Sequence, residues 1–306
     1  MLKGHGWEFG YSPTEEVLVA LARVETGNHQ AREKNRTPYE ALYIYLLKGI
    51  VHGNDETDLG QAFLGNWVED DSSFLFFSSP ADKAIARLLK LRPELELIDD
   101  FHFTYEQWQG ERLKTFKVAD FVIVPVWEKA RRTEEGLQIV LDPGVVFGSG
   151  LHPTTRDCLK ALAFASGRRP FKRVLDLGTG TGILALAAAR KGAESVLAID
   201  LNPLCLKTAK HNVALNRFDG IIRVAEGSAE MFLDEPADLV VANLHWEIIH
   251  KLIQEAGFRS RERLLISGLM RSRRSDVRRE LRANRFKVLK EWDHDMTWFT
   301  MFAGKA

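Results

Sequence analysis

The sequence is short of several things, and each shortage removes a class of protein. Only two cysteines occur in 306 residues, Cys158 and Cys205. That excludes a disulfide-stapled secreted scaffold and a cysteine-rich zinc module. Both cysteines lie in helix-like runs, so two reduced thiols are expected, with a single disulfide as the alternative. No apolar run approaches the roughly 20 residues that a membrane-spanning helix needs. The start, Met1-Leu2-Lys3-Gly4-His5-Gly6, lacks the apolar stretch of a signal peptide. A cytoplasmic location and no membrane partner are therefore expected. Charge of one sign is also missing: 42 basic residues balance 42 acidic ones. No bulk field favours a polyanion.

What remains is an ordinary globular composition, 45% hydrophobic and 27% charged, at a length that suits two domains. Residues 13 to about 52 read as helical. Glu15 to Ala22 has helical spacing after Ser12-Pro13, and a second run from Pro38 to Ile50 carries Leu42, Ile44, Leu46 and Leu47. The Gly53-Asn54-Asp55 cluster ends it. Residues 1–59 are thus expected to be a helical N-terminal extension that serves packing or partner docking. Residues 60–126 read as a small α+β module. It has a strand pair across Asp70-Asp71, a helix from Pro80 to Leu91, and strands at Leu95–Tyr105 and Phe121–Val126. The charged stretch 127–141 reads as a linker, part strand and part helix.

From Arg173 onward, continuous apolar strands alternate with helices. That pattern implies a parallel sheet covered on both faces. The last two strands, Lys287–Trp292 and Thr297–Phe302, are too close for a crossover helix and should pair antiparallel. The expected fold of residues 142–306 is a Rossmann-like α/β sheet of seven strands, the class I variant found in S-adenosylmethionine (SAM) methyltransferases.

Chemistry concentrates in Asp176-Leu177-Gly178-Thr179-Gly180-Thr181-Gly182, which follows a strand and opens a helix. The glycines permit a sharp turn and a close backbone approach to a ligand. Asp200 ends the next strand, where a carboxylate can accept both hydroxyls of a ribose. A nicotinamide-binding turn spaces its glycines G-x-G-x-x-G. Here the spacing is G-x-G-x-G, preceded by the acidic Asp176, which would repel a pyrophosphate but suits an amino-acid ammonium. SAM is therefore favoured over a nicotinamide cofactor, with Asp176, Gly178, Thr179, Gly180, Gly182 and Asp200 as binding residues. Ser228 and Ala229 follow the third strand, where an adenine would lie; an ordinary loop is the alternative. Asn243 ends the fourth strand and can orient a nucleophilic amine. Trp246 either flanks the donor or the target on the substrate side, or packs in the core. No metal site is expected.

One further segment resembles a known family. Asp142-Pro143-Gly144-Val145-Val146-Phe147-Gly148-Ser149-Gly150-Leu151-His152-Pro153-Thr154-Thr155 is similar to the signature D-P-G-x-A-F-G-T-G-x-H-P-T-T of the PrmA family, the bacterial methyltransferases of ribosomal protein L11. It departs at Val146 and Ser149 only. The likeness extends over roughly residues 60 to 306. It implies that Thr155, Gly178, Asp200 and Asn243 contact SAM, that Phe147 and Gly148 form part of a lid, and that His152 and Thr154 shape the base. Asn243 would be the catalytic residue. It also implies methylation of lysine or amino groups on a protein, with a ribosomal protein as partner. After Asn243 the family reads Ile-Leu, where this chain has Leu244-His245-Trp246.

Three other readings are weighed against this one. A nucleic-acid adenine methyltransferase is disfavoured, because no Asn-Pro-Pro-aromatic turn follows the fourth strand. A small-molecule methyltransferase and a non-catalytic SAM-binding scaffold remain as alternatives. Ten late arginines, from Arg259 to Arg285, read first as a solvated face paired with acids and otherwise as an RNA contact.

Overall fold

The computed structural model describes residues 37–128 and 136–306. The chain divides into two compact units, one ending at Glu111 and one running from Arg112 to Ala306. The helix expected over Glu15–Ala22 lies outside the described residues.

The first unit is built on a four-stranded antiparallel sheet, ordered β2-β3-β1-β4. Its strands are β1 (Ala41–Lys48), β2 (Phe63–Glu69), β3 (Ser72–Phe77) and β4 (Glu96–Thr104). The helix expected from Pro38 to Ile50 is therefore corrected to a strand, and a central one. β1 pairs with β3 on one side and with β4 on the other. The run Ala-Leu-Tyr-Ile-Tyr-Leu-Leu is rich in aromatic and β-branched side chains, which fit a pleated surface. Its leucines satisfy a period of 2 as well as one of 3.6, and a run this short cannot separate them. Gly49, at φ +97°, ends it. The boundary expected at residue 60 accordingly cuts through a sheet. The hairpin across Asp70-Asp71 is as expected, with Asp70 in the left-handed region at φ +50°. Helix α1 (Asp82–Leu91) buries Ile85 and Leu88 beneath this sheet, in a core with Tyr45, Leu47, Leu75 and Phe77.

The second unit opens with a three-stranded sheet of β5 (Phe116–Val118), β6 (Phe121–Pro125) and β7 (Leu137–Leu141). β7 runs parallel to β6 and buries Ile139 and Leu141 completely. The stretch read as a linker, 127–141, thus ends in a strand integral to this unit. Its charged residues concealed a short apolar run.

The large sheet follows. Its strands are β8 (Arg173–Leu177), β9 (Ser195–Asp200), β10 (Ile222–Glu226), β11 (Leu239–Asn243), β12 (Arg263–Met270), β13 (Phe286–His294) and β14 (Trp298–Lys305), in the order β10-β9-β8-β11-β12-β14-β13. The first five are parallel, and β14 inserts antiparallel between β12 and β13. This is the doubly wound, seven-stranded sheet expected from the alternation. Successive residues of each strand serve opposite cores. Val174, Val196, Val241 and Leu265 meet α2 (Pro153–Arg168), α3 (Ile183–Arg190) and α4 (Pro203–Leu215). Leu175, Ile199, Val240 and Leu264 meet α5 (Trp246–Gln254) and α6 (Arg274–Ala283). Both cysteines are buried thiols, in α2 and α4, and no disulfide forms between them. Among the described residues no helix is long and apolar enough to cross a membrane.

Candidate functional site

The strand order reverses beside β8: the chain steps outward to β9 and β10 on one side, then returns to β11 on the other. Ligand crevices in open α/β sheets form at such a reversal, outside the carboxyl ends of the strands. Register places Leu177 opposite Ile199 and Ala242, and Asp200 opposite Glu226. The sequence-expected residues of β8, β9 and β11 therefore share one edge.

The glycine turn is bound to its neighbours through its own backbone. Gly178 and Thr179 donate their N–H groups to the Ile199 carbonyl at 2.9 and 2.8 Å. Gly178 (φ +71°), Gly180 (φ +54°) and Gly182 (φ +83°) all occupy the left-handed region. Glycine is also required by space. A Cβ on Gly178 would collide with the Leu244 side chain, and one on Gly180 would lie 2.5 Å from the Phe147 carbonyl oxygen. Gly182 caps α3 and lies close to Ala209 on α4, so it spaces helices.

The signature segment closes over this turn. Thr181 N–H donates to the Phe147 carbonyl at 3.1 Å, and its hydroxyl donates to the Gly148 carbonyl at 2.7 Å. His152 caps α2: its Nδ1 accepts from Thr154 N–H at 3.3 Å and lies 2.7 Å from the Thr154 hydroxyl. The His152 ring meets Phe147 and Trp298 edge-on, at 5.5 and 5.1 Å between centroids. The Thr154 hydroxyl is thus engaged inside the protein, as is that of Thr179, which donates to Asp176 Oδ2 at 2.6 Å.

Two buried oxygens are left open. Asp176 Oδ1 and Thr155 Oγ1 have no hydrogen-bond partner, although both residues are about 1% exposed. Buried acceptors without partners are uncommon and mark a place where a donor is missing. Burial, reinforced by repulsion from Asp200 and opposed by the Thr179 hydroxyl and the Ala185 N–H, pushes the Asp176 carboxyl up to about 7. Asp200 is raised too, mainly by burial. Its Oδ2 accepts from Gly180 N–H at 2.9 Å and its Oδ1 from Asn202 N–H at 3.0 Å. The Cys205 thiol and the Leu201 N–H also bond this carboxyl. The donor set is rich in acceptors, glycine-lined and flanked by an aromatic lid. It fits a nucleoside that carries a cationic amino-acid end, and it would repel a pyrophosphate. Among the described residues no cluster of side chains could hold a metal ion.

Asn243 ends β11 half-buried, with no side-chain hydrogen bond to the described residues. Leu244, the next residue, packs onto Gly178, and its backbone is accommodated by Gly268 (φ +80°) in β12. Trp246 opens α5, half-buried. The Arg273 guanidinium sits 5.8 Å from its ring centroid and the His250 ring 5.0 Å away. Ser228 and Ala229 lie just past β10, where Gly227 N–H donates to the Asp200 carbonyl at 3.0 Å.

The sequence reading missed two asparagines on α4. Asn216 Oδ1 accepts from Val140 N–H at 3.0 Å and its Nδ2 donates to the Val140 carbonyl at 2.6 Å. One helical turn earlier, Asn212 makes the same pair with Asp142, at 2.8 Å for each bond. The two amides stand where an adjacent strand would bond to β7. Asn at i and i+4 on the core face of an amphipathic helix was the available signal. Of the late arginines, Arg274 and Arg278 pair with Glu291, and Arg273 and Arg279 with Asp276. Arg261 and Arg263 point inward instead. Arg263 donates to the carbonyls of Asp238, Arg169 and Pro170, and Arg261 to that of Glu235.

Comparison with known proteins places the chain among its relatives. The family model described as ribosomal protein L11 methyltransferase (PrmA) matches residues 68–306. A ribosomal protein L11 methyltransferase of Desulfitobacterium hafniense is 37% identical over 229 residues, 72% of each chain. One from Geobacillus kaustophilus is 38% identical over 204 residues, 61% of this chain and 63% of that protein. The chain thus spans somewhat under two thirds of the length of the first curated relatives it matches. The crystal structure of ribosomal protein L11 methylase from Lactobacillus delbrueckii subsp. bulgaricus superposes with a TM-score of 0.54 at 29% identity, covering 63% of this chain and 99% of that one. With the family model matched along most of its length, the chain belongs to the ribosomal protein L11 methyltransferase (PrmA) family.

Proposed function

We propose that the chain is a SAM-dependent protein N-methyltransferase that modifies lysine or amino groups of a ribosomal protein, with L11 as the substrate and the cytoplasm as its place of work. The observation that carries the reading is the pair of open buried acceptors, Asp176 Oδ1 and Thr155 Oγ1, beside a glycine turn whose next strand ends in Asp200. The relatives above bear the name of that activity, and the donor set suits that cofactor.

SAM supplies a methyl group on a cationic sulfur that an amine can displace in line. The Asp200 carboxylate, at the end of β9, suits the ribose hydroxyls. The open oxygens of Asp176 and Thr155 give negative potential and hydrogen-bond capacity toward the amino-acid end. Backbone groups of Gly178 and Gly180 allow close approach, and Ser228 and Ala229 border the adenine side. Phe147 and Gly148 form the lid, held down by Thr181, with His152 and Thr154 at its base. Little acid–base work is required, so catalysis is largely positioning, which is worth several kcal/mol. The free amide of Asn243 accepts an N–H from the incoming amine and aims its lone pair. Leu244, Trp246 and Phe147 exclude water, and desolvation lowers the pKa of a lysine amine toward its nucleophilic, neutral form.

Incubation of the purified chain with methyl-labelled SAM and ribosomal protein L11 tests the reading. Label in L11 supports it. Label only in small molecules, or none while SAM is bound, replaces it with a small-molecule enzyme or a scaffold. Asn243→Ala should lower the transfer rate on the order of a hundredfold while cofactor affinity changes less than threefold. Equal loss of both would remove Asn243 from acceptor orientation.

A further inference from the structure

Asn212 is completely buried and uses three hydrogen bonds to join segments far apart in sequence. Its Oδ1 accepts from Asp142 N–H at 2.8 Å, and its Nδ2 donates to the Asp142 carbonyl at 2.8 Å and to the Thr181 carbonyl at 2.9 Å. Both amide hydrogens are spent. Thr181 belongs to the glycine turn, and Asp142 begins the signature segment. Thr181 also grips that segment further along, through its N–H on Phe147 and its hydroxyl on Gly148. A closed circuit results: Asn212 to Asp142, along the segment to Phe147 and Gly148, across to Thr181, and back to Asn212. One side-chain amide on α4 therefore sets how far the lid loop stands from the turn beneath it.

Asn216 supplies a contrast within the same helix. Its amide makes the equivalent pair with β7 at Val140 and a bond to the Asn212 carbonyl, but none to the glycine turn. If the asparagines served only to cover the edge of β7, they would be interchangeable. Only Asn212 reaches the turn.

We propose that Asn212 is a positioning residue for the cofactor: it holds the glycine turn and the signature loop at the separation that admits SAM. This rests on the reading of the crevice as a SAM site. Without the Asn212 amide, the Asp142 and Thr181 carbonyls lose their buried donor and the turn can move independently of the loop. An uncompensated buried polar group is relieved by such movement or by entry of water.

The test compares Asn212→Ala with Asn216→Ala in the full chain, by calorimetric titration with S-adenosylhomocysteine and by steady-state transfer. Unchanged protein that fails to bind S-adenosylhomocysteine refutes the cofactor reading itself, before any variant is compared. Given binding, N212A is expected to raise the dissociation constant and the KM for SAM at least tenfold, with kcat at saturating SAM within about threefold. Both variants are expected to lower the melting temperature by similar amounts, but N216A is expected to leave both constants within twofold. Equal shifts in affinity for the two variants, or unchanged affinity in N212A, overturn the assignment. Should N212A not fold, Asn212→Asp and Asn216→Asp replace the pair. Each keeps its acceptor, for the Asp142 N–H or the Val140 N–H, and loses its donors, and the same contrast in affinity decides.

Discussion

Asp176 makes the protein's stability depend on pH in a direction opposite to that of most aspartates. Burial lifts its folded pKa from 3.8 to about 7, so the fold prefers the protonated form. Between those values the native state holds a proton that the unfolded chain has released, and stability must fall as pH rises through that window. The window spans about 3 pH units at roughly 1.4 kcal/mol each, a ceiling of about 4 kcal/mol at pH 8 relative to pH 4. Asp176→Asn removes the ionisation and keeps an acceptor for the Thr179 hydroxyl. It places an amide N–H where Oδ1 lacks a partner, at a cost of about 1–3 kcal/mol independent of pH. Urea unfolding of both proteins from pH 5 to 8 isolates the effect, because other titrating groups cancel in the difference. The variant should gain about 2–3 kcal/mol on the unchanged protein across that range, read as a growing separation of midpoints at constant slope. Midpoint curves that stay parallel would refute a proton on Asp176 in the native state. A cationic ligand at the open oxygen would favour the carboxylate, so SAM binding should release protons near pH 6 and bind more tightly as pH rises toward 8.

Two further substitutions probe the frame. Gly180→Ala places a Cβ 2.5 Å from the Phe147 carbonyl at φ +54°; it should weaken S-adenosylhomocysteine binding at least tenfold by calorimetry, and unchanged binding would mean the lid does not depend on that approach. Arg263→Met strips the donors from three carbonyls around a buried guanidinium; a loss of about 3 kcal/mol in urea unfolding is expected, and a loss below about 1 kcal/mol would show that the arginine is not structural.

The crevice was legible because its residues are chemically unusual and close in sequence. Asp176 to Gly182 combines a strand end, three glycines and an acid, a pattern that core packing alone does not produce. The last two strands were legible from the short gap between them. β1 was not, because Leu42, Ile44, Leu46 and Leu47 satisfy helix and strand periods together, and only pairing with β3 and β4 decides. β7 was hidden behind charged neighbours. The clasp made by Asn212 joins residues 70 and 31 positions apart, a separation that no local pattern encodes. The arginines divided. Arg273, Arg274, Arg278 and Arg279 pair with acids as a solvated face should, whereas Arg261 and Arg263 turn inward to carbonyls that only the folded backbone brings together.

The place of β14 in the sheet governs when the molecule can be finished. This strand follows both β12 and β13 in the chain, yet it lies between them and supplies Phe299, Met301, Phe302 and Ala303 to the interior. Until Trp298–Lys305 has emerged from the ribosome, β12 presents a bare edge and β13 has nothing to pair with. The parallel strands β8 to β11 can assemble during synthesis, whereas β12 gains its second neighbour only when the β13–β14 hairpin is in place. The sheet therefore cannot close between β12 and β13 before this segment has been translated.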